Sequence, residues 1–76
     1  MPSTHPDPEA LAAALHDMKS PLSAIRGRAQ LATRQVAISP TLADEERATL
    51  LRHLRAVDEC VGRVCAQIDA IRIAGA

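Results

Sequence analysis

The 76-residue chain contains no Phe, Tyr or Trp, only three glycines and two cysteines, and no excess charge of either sign. Each absence excludes something. Without aromatic rings there is no platform on which nucleic-acid bases stack, and nine basic side chains against nine acidic ones leave no net field towards DNA or an anionic membrane. Binding of nucleic acid is therefore disfavoured. No apolar run approaches the ~18 residues of a spanning helix and no charged-then-apolar leader follows Met1, so no membrane segment and a cytoplasmic location are expected. Cys60 and Cys65, five apart on one expected helix, point in different directions and read as reduced, semi-buried thiols. No glycine-rich stretch is present to cradle a nucleotide, so the chain is expected to bind no cofactor itself.

What is present favours helices. Hydrophobic residues make up 47% of the chain, and they are small or branched aliphatics, which predicts an all-α fold. A chain of this size buries only about 60% of its unfolded surface and is marginal as a lone monomer. Residues 1–7, punctuated by Pro2 and Pro6, read as a flexible N-terminal tail, and residues 8–76 as one helical unit. Asp7 is a candidate cap, Pro8 suits a first helical position and Glu9 complements the dipole.

Two seams follow. Leu11, Leu15, Met18, Leu22, Ile25, Ala29, Ala32 and Val36 step by alternating fours and threes, which predicts helix 1 over about 8–37. Ser39-Pro40-Thr41 breaks the pattern, and Thr41 to Asp44 offers a capping-box-like restart. Leu50, Leu54, Val57, Val61, Val64, Ile68 and Ile71 then repeat the stepping, flanked by Leu51 and Cys65, which predicts helix 2 over about 42–73 with Gly75 as the stop. Two such helices form an antiparallel hairpin that cannot cover both seams alone. Two hairpins can, so a homodimeric four-helix bundle is expected.

One stretch does not read as scaffolding: His16-Asp17-Met18-Lys19-Ser20-Pro21-Leu22, running on to Ile25 and Gly27. His16 falls roughly 150° from the mean direction of the helix 1 seam, so its imidazole is expected in solvent, where a neutral ring is a competent nucleophile near pH 7. Asp17, about 100° further round the helix, is close enough to accept a proton hydrogen bond from Nδ1, which would fix the lone pair on Nε2. Pro21 cannot donate to the Asp17 carbonyl, so a bend is expected there in a continuous helix, the alternative being a restart capped by Ser20.

The stretch resembles the H-box of sensor histidine kinases, usually His-Glu-Leu-Arg-Thr-Pro-Leu, with Asp, Met, Lys and Ser as chemically similar replacements at four positions. The resemblance extends to the two-helix pattern of the dimerisation and histidine-phosphotransfer domain in two-component systems. It implies that His16 is a phosphoacceptor, Asp17 a general base or tautomer anchor, and Ser20 a residue that orients a water for phosphatase action. Lys19, Ser23, Gly27 and Arg28 become contacts for a response regulator receiver domain. ATP and Mg2+ would be supplied through a separate catalytic domain, because there is no room here for one. The chain is then either a piece of a larger sensor or a subunit that works with a separate ATPase.

The blander readings differ. His5 and His53 read as ordinary surface residues. His53 and Cys60, one heptad apart, lack the close ligand pair a metal site needs, so no metal is expected. A catalytically silent dimerisation or adaptor hairpin would share the whole heptad pattern.

Overall fold

In a computed structural model of the chain, residues 7–75 are described and form two helices, α1 (Pro8–Ile38) and α2 (Asp44–Gly75). They pack against each other as a hairpin, and no strand occurs among the described residues. The expected tail, apart from Asp7, lies outside the described residues.

Pro8 occupies the first turn of α1 as expected, where its missing N–H costs nothing, and Glu9 complements the dipole. Asp7 caps through its backbone only: its carbonyl accepts from Leu11 N at 2.9 Å, and its carboxylate makes no cap hydrogen bond. The helix passes through Pro21 without interruption, so a restart capped by Ser20 is not adopted. It ends one residue beyond the expected range. The second helix both begins and ends two residues later than expected, and Gly75 continues it instead of stopping it.

The turn is built differently from a capping box. Arg47 N donates to Ala43 O at 2.9 Å, which places Ala43, not Thr41, at the cap position of α2. Thr41 pairs instead with Ser39, hydroxyl to hydroxyl at 3.2 Å. The main closure is the Arg47 guanidinium. Its Nη1 donates to Val36 O at 2.6 Å and Ala37 O at 3.0 Å, and its Nη2 donates to Ser39 O at 2.7 Å and Leu42 O at 3.2 Å. Carbonyls at a helix C-terminus have no partner within the helix, and here one cation from α2 supplies it. Arg47→Ala should therefore lower stability by about 2 kcal/mol, read from the urea midpoint, and Arg47→Lys should recover only part of that.

The two seams do not behave as single stripes. Leu15, Ala29, Val61 and Ile68 are buried, and Leu22, Val36 and Leu54 are half-buried. These seven positions recur every seven residues on each helix, and they form the contact between the helices. The alternate seam positions, apart from half-buried Ala32, stay open: Leu11, Met18 and Ile25 on α1, and Leu50, Val57, Val64 and Ile71 on α2, with exposures from 37% at Val64 to 49% at Met18 and Ile71. Each open position lies three residues after an inward one, or four before it. In an antiparallel pair that offset turns both helices' open stripes to the same side of the rod.

The opposite side carries the ion pairs. Lys19 Nζ donates to Asp69 Oδ1 at 2.7 Å, and Arg26 Nε donates to Asp58 Oδ1 at 3.0 Å, with Gln30 Nε2 reaching the same oxygen at 3.5 Å. Lys19 and Arg26 lie four residues after Leu15 and Leu22, on the flank away from the open stripe. The hairpin thus has one polar, cross-linked side and one apolar side.

Candidate functional site

The polar side holds the His16 region. His16 is exposed on α1, one position after buried Leu15, which turns it to the flank that also bears Lys19. Ser23 lies one heptad further along the same line. Ser20 and Gly27, also one heptad apart, run beside it, and all three are exposed. His16, Ser20, Ser23 and Gly27 therefore share one accessible strip of α1.

Two expected residues stand apart from that strip. Arg28 is exposed but lies roughly 120° round the helix from the direction of His16, on the flank next to the apolar stripe. Asp17 is exposed and adjacent in sequence, and no hydrogen bond joins it to His16 among the described residues. Lys19 is only half-exposed because it is drawn across to α2.

Gly27 is the position where a partner can come nearest to the helix. A methyl group placed there would meet nothing within 4 Å, so the hairpin itself does not require glycine. Gly27→Ala should stabilise the helix by about 0.5–1 kcal/mol. If a partner packs against this strip, the same substitution should weaken that partner's binding in a titration while raising the melting temperature.

Sequence reasoning did not foresee the acids that face this region. Asp69 is shared by Lys19 and, at 4.0 Å, Arg72 Nη1 one turn on. The Lys19 hydrogen bond is the chief reason that the Asp69 carboxyl titrates below its ordinary value, with the charges of Lys19 and Arg72 adding to it against desolvation. A depressed carboxyl contributes stability that is present above its unfolded pKa and is lost as pH falls through the lowered folded value. For so exposed a pair that contribution is modest.

Other chemistry is sparse. No group of three or more His, Cys, Asp or Glu residues among those described is placed to hold a metal ion. Cys60 is exposed and Cys65 half-buried, both as free thiols. A shallow recess lined by Glu45, Glu46, Thr49 and Leu50 lies at the start of α2, near the turn and far from His16. No helix of the described residues is long and apolar enough to cross a membrane.

The fold and this strip define a helical hairpin that presents an accessible histidine on its polar side and leaves an apolar stripe uncovered on the other. No family model, curated protein or solved structure matches the chain.

Proposed function

We propose that this chain is the phosphoacceptor and dimerisation hairpin of a two-component histidine kinase, located in the cytoplasm. The observation that carries the reading is the opposition of two faces: His16 is exposed on one side of α1, and the heptad-spaced stripe from Leu11 to Ile71 is open on the other. A second copy covering the stripe would complete a four-helix bundle and leave both His16 imidazoles in solvent.

In this reading the chain is a substrate as much as a catalyst. A separate catalytic domain holds ATP and magnesium, and the metal offsets the charge of the phosphates. The lone pair on a His16 ring nitrogen attacks the γ-phosphorus, the N–P bond forms, and the bond to the bridging oxygen breaks as ADP leaves. Asp17, not bonded to the ring in the hairpin as it stands, steadies it by accepting from its other nitrogen once its side chain turns towards His16. A receiver-domain aspartate oxygen next attacks the same phosphorus, the N–P bond breaks, and neutral imidazole returns. Ser20, one turn from His16, would orient a water for the removal of phosphate from the receiver. The strip of Ser20, Ser23 and Gly27 is the docking surface, with Lys19 at its margin and Arg28 on the flank beyond it.

The heptad stripe alone would serve a silent adaptor hairpin equally well, so the decisive measurement is chemical. With ATP and magnesium alone the chain should take up no phosphate. Addition of a cognate catalytic domain should give an acid-labile phosphate on the chain that a receiver domain then removes. A chain that is never labelled by any catalytic domain, yet dimerises, would leave the adaptor reading in place.

A further inference from the structure

The two carboxylates that tie α2 to α1 are not equivalent. Asp58 is held by Arg26 and Gln30, both distant from His16, whereas Asp69 is shared between Lys19 at 2.7 Å and Arg72 at 4.0 Å. Lys19 stands three residues after His16. Side chains at that spacing are neighbours on a helix surface, with Cβ atoms about 5–6 Å apart. A lysine also has a flexible four-carbon stem and a point charge with no preferred plane, so its ammonium can reach either neighbour.

We propose that Lys19 exchanges partners when His16 is phosphorylated, leaving Asp69 to Arg72 and pairing with the phosphoryl group. A phosphoryl group brings up to about two negative charges and three acceptor oxygens next to Lys19 along the same helix. Asp69 offers one charge, already divided between two cations. The exchange therefore runs towards the phosphate, and Asp69 is not left alone because Arg72 lies on its own helix. The consequence is mechanical: the ion pair that joins α1 to α2 beside Leu15 and Ile68 is released, and the pair that remains, Asp69 with Arg72, lies within α2. Phosphorylation of His16 is in this way written into the contact between the two helices. Lys19 is a positioning residue here, since it holds the phosphoryl group without reacting.

The proposal rests on the phosphotransfer reading only for the statement that His16 carries phosphate in the cell. Its test does not depend on a kinase. The full chain, with His5→Gln and His53→Gln to leave one imidazole, is treated with phosphoramidate. The ring nitrogen of His16 attacks phosphorus, the donor's P–N bond breaks, and ammonia leaves. NMR then follows the coupling across the hydrogen bond from Lys19 15Nζ to the Asp69 carboxyl carbon. That coupling should be present before phosphorylation and lost after it, with a coupling from Lys19 15Nζ to phosphorus taking its place.

A second measurement is independent of that line: the 31P titration midpoint of the phosphoryl group should rise by roughly 0.3–0.7 pH unit in Lys19→Met and should not rise in Asp69→Asn. An Asp69 coupling that persists unchanged in the phosphorylated chain, or a midpoint indifferent to Lys19→Met, overturns the exchange and leaves the phosphotransfer reading standing. A successful exchange in a chain that no catalytic domain can label has the opposite meaning. Refusal of His16 to take phosphate even from phosphoramidate removes both.

Discussion

If the chain is the proposed phosphoacceptor hairpin, a His16→Gln chain should fold, dimerise and bind a catalytic domain, and should take up no phosphate. The expected change in labelling is from a full signal to background, the largest effect of any single substitution here, because glutamine's amide keeps the polarity and the approximate reach but has no nucleophilic lone pair on nitrogen. The fold should not respond. His16 is exposed, it has no hydrogen-bond partner among the described residues, and glutamine is a better helix former than histidine. Helical circular dichroism and mass in solution serve as the controls, and His53→Gln should label normally. Label that survives His16→Gln would put the phosphate elsewhere and end the assignment.

The second large effect concerns the open stripe. Val57→Asp is expected to convert a species of twice 8.1 kDa into one of 8.1 kDa by sedimentation or light scattering. Val57 is 42% exposed in the single hairpin, so a carboxylate there costs that hairpin little. In a bundle of two hairpins the same carboxylate is buried without a partner, and it occurs twice. Burial of an unpaired polar group costs at least about 1–3 kcal/mol, so two should weaken association by roughly a hundredfold or more. Leu31→Asp is the matched control. Leu31 is 54% exposed but lies on the outer side of α1, two residues after buried Ala29, and its replacement should leave the mass unchanged. If Leu31→Asp gave monomers and Val57→Asp did not, the apolar stripe would not be the interface.

Much of the architecture could be read before any coordinates. The alternation of fours and threes from Leu11 to Val36 and from Leu50 to Ile71 is a property of residue order, and it needs only helical geometry to become two long helices. The broken pattern at Ser39-Pro40-Thr41 places the turn. Which half of each seam faces the sister helix was not legible, because Leu11 and Leu15 are the same residue type and differ only in the hairpin's register. That register depends on Arg47, which lies one heptad before Leu54 in the inward line and reads in the sequence simply as another charge. Its four carbonyl partners span residues 36 to 42, and none is visible without the turn in place.

The candidate site divides in the same manner. Exposure of His16, Ser20, Ser23 and Gly27 follows from their phase against the seam. The engagement of Lys19 does not, since Asp69 is 50 residues away and becomes a neighbour only through antiparallel pairing. Arg28 differs in the opposite sense: proximity in sequence to Gly27 groups it with the strip, but one residue is about 100° of helix, enough to place it on another flank.

The closure at Arg47 has a bearing on how the rod can move. One end of the hairpin is riveted by four bonds from the Arg47 guanidinium to carbonyls around the turn, while the other end is joined by side chains alone. In outline such an object is a tuning fork, with its stem at Arg47 and its tips near Leu11 and Ile71. His16 lies on a tine near its tip. A twist or splay applied at the open end is therefore expected to meet the His16 segment, held there by Leu15, Ile68 and the Lys19–Asp69 pair, before it meets the stem.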